Sequence, residues 1–183
     1  MRLVLTSLIL LLGIAACKPA ETPAEPEKKS EAREKAVVAN NEIKMDAFFA
    51  SSFKQFDRQS HPLDQYKGKI VVAYFWATWC KSCLKEVPQL MALQNQYKDK
   101  NVQFIGIAVD NTDKVEKFVK DNRIPYPVLI GSDDALELSK KLGNLVLGLP
   151  FLVVIDKNGN LAGKLLGELP AGKLEALLAA ATA

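Results

Sequence analysis

A short apolar run, Ile70-Val71-Val72-Ala73-Tyr74-Phe75, is followed within a few residues by two cysteines three apart at the head of a helical pattern. The run reads as a buried strand. The helical pattern begins at Cys80 and continues through Leu84, Val87, Leu90, Met91 and Leu93. Positions i and i+3 share a helix face, so Cys80 and Cys83 are spaced for one disulfide that can close and open. A cysteine at a helix N-terminus meets unpaired backbone N–H groups and the positive end of the helix dipole. Both favour thiolate over thiol, and the thiolate is the nucleophile. The pair therefore reads as reactive.

The N-terminus sets the compartment. Arg2 and the apolar stretch Leu3 to Leu12 suit a cleavable signal peptide, at roughly ten residues too short for comfortable membrane spanning. The expected signal covers residues 1–16. Ile14-Ala15-Ala16-Cys17 resembles a bacterial lipoprotein signal. That resemblance implies lipidation of Cys17, cleavage before it and acylation of the new terminus, which anchors the chain stably. It places the domain in the periplasm of the bacterial envelope, and Lys18 after the cysteine favours sorting to an outer membrane.

With Cys17 assigned to lipid, two of the three cysteines remain. In an oxidising compartment a lone pair of this spacing reads as a working couple rather than a framework. Zinc needs about four ligands, and one cysteine pair with the single histidine, His61, does not supply them. No metal and no cofactor beyond the Cys80–Cys83 disulfide is expected. Net charge is +3 and no basic block alternates with aromatics, so nucleic acid is not implied.

Residues 17–41 are rich in Pro, Glu, Lys and Ala and bury too little apolar surface to offset chain entropy, so they read as a disordered tether. The domain is expected over 42–183. Its pattern predicts a helix at 45–49, a strand at 53–56, an edge element from His61 and a strand at 70–75. Then come a helix at 81–97, a strand at 102–109, a helix at 112–122, a strand at 128–130 and a helix at 134–142. The chain closes with strands at 150–155 and 161–166 across an Asp156-Lys157-Asn158-Gly159 turn and a helix at 171–180. Strands alternating with helices, then a hairpin and a last helix, predict an α/β fold with a mixed central sheet flanked by helices and a short N-terminal strand extension.

With Trp79-Cys80-Lys81-Ser82-Cys83 between the first long strand and its helix, this order resembles the thioredoxin fold. Over about residues 50–180 it resembles the membrane-tethered TlpA/ResA-like thiol-disulfide oxidoreductases. The matching segments are Tyr66-Lys67-Gly68-Lys69-Ile70-Val71-Val72, Phe75-Trp76-Ala77-Thr78-Trp79-Cys80, Cys83-Leu84-Lys85-Glu86-Val87-Pro88-Gln89-Leu90 and Gly148-Leu149-Pro150.

Cys80 is the expected attacking thiol and Cys83 the resolving one. Against this stands an inert structural disulfide, yet a bond closing so short a loop constrains the unfolded chain very little. Glu86, three residues past Cys83, shares its helix face and can take the Cys83 proton if burial raises its pKa; the plain alternative is an exposed, lysine-paired glutamate. A glutamate there is functional in the group that the chain resembles. The resemblance also implies a cis peptide before Pro150 and hydrogen bonds from the Leu149 backbone to an extended substrate segment. Leu149 before the proline and Phe151 after it depart from the group's usual small residue and Thr, and so does the missing proline before Cys83. Trp79 is expected as an apolar rim of the substrate site, Trp76 as core, Pro88 as architectural, His61 as a surface turn residue and Asp110 as a cap or turn residue.

The leading expectation is a membrane-anchored monomer that reduces disulfides of envelope proteins, and the resemblance implies substrates in cytochrome c maturation or respiratory copper-site assembly; the same motif runs as an oxidant if its disulfide is the less stable form. The resemblance also implies re-reduction by a membrane electron donor of the DsbD/CcdA type. A thiol-dependent peroxidase is the alternative, against which stands tryptophan directly before Cys80. A non-enzymatic copper-delivery module needs wider cysteine spacing and a downstream histidine.

Overall fold

In the computed structural model, residues 45–183 are described. The signal segment 1–16, Cys17 and the tether to residue 41 lie outside the described residues.

What organises the domain is a strand buried along its whole length. β3 (Ile70–Trp76) carries IVVAYFW, and all seven residues are buried. Side chains alternate across a strand, so Ile70, Val72, Tyr74 and Trp76 enter one core and Val71, Ala73 and Phe75 the other. The first core is closed by α2 (Lys81–Tyr97), α3 (Thr112–Asn122) and α5 (Lys173–Thr182), through Cys83, Leu90, Leu93, Val115, Leu174 and Leu178. The second is closed by α1 (Asp46–Phe49), a 3-10 turn at Leu63–Tyr66 and α4 (Asp133–Lys141), through Phe48, Phe49, Leu63, Ala135 and Leu138. Each large apolar side chain buried this way contributes about 1.5–3 kcal/mol. The ion pairs Lys117–Asp121 and Lys120–Glu116 lie exposed on α3 and contribute about 0.3–0.5 kcal/mol each. Apolar burial decides stability.

The other strands are β1 (Ser52–Lys54), β2 (Ser60–Pro62), β4 (Val102–Val109), β5 (Val128–Gly131), β6 (Phe151–Ile155) and β7 (Leu161–Leu166). They form one seven-stranded mixed sheet in the order β2-β1-β5-β4-β3-β6-β7. β3, β4 and β5 run parallel, while β6 and β7 on one side and β1 and β2 on the other run antiparallel to their neighbours. The predicted mixed α/β sheet with its N-terminal strand extension is the architecture found.

The elements differ from the sequence expectation mainly at their ends. The first strand stops at Lys54 because the chain reverses at 55–59, where Gln55 and Gln59 pair across a turn and Arg58 takes a φ of 65°. The last helix starts at Lys173 because Gly172, at a φ of 73°, turns the chain just before it. His61 is not a surface turn residue: it lies in β2 opposite Phe53, half-buried, with Nε2 2.6 Å from the Tyr66 hydroxyl.

Gly131 ends β5 directly against Ala135 of α4. A Cβ there would lie 2.4 Å from the Ala135 Cβ, and neither backbone can yield without shifting. Gly131→Ala should therefore destabilise the domain by about 1–3 kcal/mol through overpacking, read as a lower urea midpoint at unchanged m-value.

Candidate active site

β3 delivers its chain into a turn at the C-terminal end of the central parallel strands, and α2 starts directly after it. Cys80 is the N-cap of α2, with extended backbone, and its Sγ accepts the Cys83 N–H at 3.2 Å. This cap supplies the electrostatics that the sequence implied, because the Cys80 sulfur faces a backbone donor at the positive helix end, where the thiolate formed on reduction is favoured. Cys80 and Cys83 are joined as a disulfide with Cα atoms 5.2 Å apart. Cys83 is fully buried, whereas Trp79 just before Cys80 is 65% exposed. Trp76, by contrast, is core: it packs on Phe118 with ring centroids 5.4 Å apart, and Gly106 leaves room for its indole.

Glu86 lies one helical turn beyond Cys83 and is 8% exposed, in place of the exposed, lysine-paired glutamate weighed from sequence. Its Oε2 accepts from the Tyr74 hydroxyl at 2.9 Å, and its Oε1 accepts from the Leu169 N–H at 2.7 Å. The Tyr74 hydroxyl also lies 3.1 Å from the Cys83 carbonyl, so one phenol connects the carboxylate with the backbone of the buried cysteine. Burial pushes the Glu86 carboxyl up, the charge of Glu168 adds to the rise, and the bonds from Leu169 and Tyr74 work against it; the net direction is upward. Burial and the neighbouring Glu86 push the Tyr74 phenol up as well, so it stays protonated and donates.

The other wall is built by register. Phe75 pairs with Phe151 across the antiparallel β3–β6 ladder, which puts Pro150 beside the end of β3 where the cysteine turn departs. The Leu149–Pro150 peptide is cis, as the resemblance implied, and the Pro150 carbonyl accepts the Gly167 N–H at 2.9 Å. Leu149 is half-buried.

Sequence reasoning did not find the loop before this proline. Asn144 is fully buried and staples it: its side chain bonds the Gly148 carbonyl at 2.9 Å and the Gly148 N–H at 3.1 Å. Leu147 is held at a φ of 54°. The loop presents Leu145, Val146 and Leu147 outward, at 79%, 74% and 40% exposure, and Val146 and Leu166 both border Gly148. Tyr74 and Leu169 were missed too. A tyrosine inside a buried run signals a hidden partner for its hydroxyl, but a backbone N–H at Leu169 leaves no mark in the sequence.

Among the described residues, no group of three or more His, Cys, Asp or Glu side chains is placed to hold a metal ion. The residues brought together are two sulfurs, a buried carboxylate and an apolar rim, a set suited to exchanging disulfides and moving one proton.

A mixed sheet flanked by helices, with a cysteine pair at the head of the helix after a buried strand and a cis proline opening the antiparallel strand beside it, defines a thioredoxin-like protein. The AhpC/TSA family profile matches residues 45–164, and the chain belongs to that family. It is 40% identical over 117 residues to the thiol-disulfide oxidoreductase ResA of Bacillus thuringiensis subsp. konkukian, and 32% identical over 116 residues to that of Geobacillus kaustophilus. These matches cover 63% of this chain and span 65% and 64% of the lengths of those curated relatives. Among solved structures it resembles a thiol:disulfide interchange protein from Chlorobium tepidum, with 26% identity, a TM-score of 0.65, and 73% of this chain and 93% of that one covered. It also resembles a DsbF homologue from Corynebacterium diphtheriae, with 26% identity, a TM-score of 0.63, and 71% and 83% coverage. The resemblance to ResA-like proteins read from the sequence is borne out for the domain.

A carboxyl with a raised folded pKa contributes stability that is fully present below its unfolded value and lost as pH rises through the folded one. Urea unfolding between about pH 4 and pH 8 should show wild type losing stability relative to Glu86→Gln as pH rises. Parallel curves would remove the buried-carboxylate account.

Proposed function

We propose that this chain is a thiol-disulfide oxidoreductase that reduces disulfides of envelope proteins through Cys80 and Cys83. The observation that carries this reading is Cys80 capping α2 with a buried Glu86, its pKa raised by burial, one turn behind the buried Cys83.

In the reduced protein the Cys80 thiolate attacks one sulfur of a substrate disulfide. That S–S bond breaks, one substrate thiolate leaves, and Cys80 is joined to the substrate as a mixed disulfide. Cys83 passes its proton to Glu86 and attacks the Cys80 sulfur. The mixed disulfide breaks, the second substrate thiolate leaves, and the Cys80–Cys83 disulfide forms. Two electrons have passed to the substrate, whose departing thiolates take up protons. The raised pKa of Glu86 suits this acceptance, because a carboxylate of ordinary pKa would take a thiol proton poorly.

The substrate segment lies extended along Leu149 and cis Pro150, with Trp79 on one side. Leu145, Val146, Leu147 and Leu166 add an apolar wall, which favours substrates with large apolar residues beside the target cysteine. The lipoprotein-type segment ending at Cys17 supports an envelope anchor for this activity, with a DsbD/CcdA-type membrane donor restoring the dithiol. Apocytochrome c and copper-site assembly proteins are the substrate classes that the ResA-like resemblance supports, with the protein acting as a monomer.

The deciding measurement is the reduction potential of the Cys80–Cys83 couple. A value near the roughly −270 mV of thioredoxin supports the reducing direction, and one near the roughly −120 mV of DsbA reverses it. Cys83→Ser should trap a peptide substrate on Cys80 as a mixed disulfide visible by mass spectrometry, whereas Cys80→Ser should trap none. Val146→Ser with Leu145→Ser should raise KM for a peptide disulfide with apolar flanks about 10-fold, the equivalent of roughly 1.4 kcal/mol of lost apolar contact, at nearly constant kcat. An unchanged KM would remove the loop from substrate binding.

A further inference from the structure

Asp110 stands two residues beyond Ala108, which pairs with Trp76 in the parallel β3–β4 register. Carried past the end of the ladder, that register sets Asp110 opposite Thr78, in the turn that leads to Cys80. The carboxylate divides its work between two loops. Oδ1 accepts the Asn111 N–H at 2.6 Å, closing the turn into α3, as the sequence suggested for a turn residue. Oδ2 accepts the Thr78 N–H at 2.9 Å and the Thr78 hydroxyl.

This second half has no turn-closing purpose. Residues 77–79 leave the sheet and reverse into α2, with the Cys80 N–H donating to the Ala77 carbonyl at 3.2 Å. Among the described residues, the side-chain hydrogen bonds that tie 77–79 to another element are the two from Thr78 to Asp110. Bonds to an ionised carboxylate are about twice as strong as neutral ones. Burial works to raise the Asp110 carboxyl, but Thr78, Asn111 and the charge of Lys114 outweigh it and hold the group below its usual value, so the clamp stays ionised well into acid.

We propose that Asp110 is a positioning residue for Cys80, acting through Thr78. It fixes the turn so that the Cys80 sulfur stays at the N-cap of α2. The inference rests on the thiol-disulfide reading of the site but is read out without any substrate. The charged groups around the clamp are Lys114 on α3 and, across an open cavity of about 690 Å³ that Asp110 lines, Lys54, Arg58 and Asp134. The charged residues of α2 are Lys81, next to Cys80 in sequence, and Lys85 and Glu86 beyond Cys83.

The test is the rate of iodoacetamide alkylation of Cys80 against pH in the reduced full chain, with the modified cysteine identified by mass spectrometry. Thr78→Val removes the hydroxyl donor and leaves the charge of Asp110 and its bond to Asn111. It should lower the high-pH plateau rate several-fold, while Thr78→Ser restores it. Asp110→Asn keeps an oxygen for Thr78 but removes the charge near the thiolate, so it should move the alkylation midpoint to lower pH. Folded Thr78→Val and Asp110→Asn proteins with wild-type plateau and midpoint would overturn the proposal and leave Asp110 a turn residue. If Asp110→Asn does not fold, Thr78→Val alone decides by its plateau. Failure of the enzyme reading is separate: wild type would then reduce no peptide disulfide, whatever the alkylation profiles show.

Discussion

The site depends on a strand with no exposed face. β3 is buried from Ile70 to Trp76, so a register slip of one residue would move every side chain into the wrong core. That fixes its end in space. Three things are then set against the fixed end: the N-cap cysteine of α2, the cis proline of β6 brought in by the Phe75–Phe151 pairing, and Asp110 brought in by the parallel pairing with β4. None of these groups holds the others in place directly. They share a frame.

Within that frame the costly element is Glu86. A carboxylate removed from water loses solvation, and only donors aimed at it repay part of the loss. Here the donors are one phenol and one backbone N–H. Two bonds are enough to keep the group in place and too few to restore an ordinary carboxylate, which is why burial prevails in its pKa. A third strong donor would have made Glu86 a better anchor and a poorer proton acceptor.

Much of this was legible in the sequence because it is local. The helix at 81–97 and the strands at 102–109 and 161–166 have the predicted bounds, since apolar periodicity is a property of neighbouring residues. Cys80, Cys83 and Glu86 were placed by i, i+3 spacing on one helix. The chemistry that completes them was not legible, because it is carried by long-range pairing. Tyr74 meets Glu86 only once α2 lies over β3, and Asp110 meets Thr78 only through strand register. The Leu145–Leu147 loop was hidden for another reason: the buried Asn144 side chain that ties its end at Gly148 makes contacts the sequence does not mark.

The bond between Glu86 and the Leu169 N–H spans 83 residues of sequence, and that distance has a consequence in time. The cysteine pair, the start of its helix and the Thr78–Asp110 contact all fall within residues 70–110, well ahead of the last two strands. The setting of Glu86 is not complete at that stage, because one of its two donors, the Leu169 N–H, follows β7. During synthesis the chain therefore holds both cysteines before it holds the second donor of the buried Glu86 carboxylate. Chain order thus places the cysteine pair early and completes the buried carboxylate last.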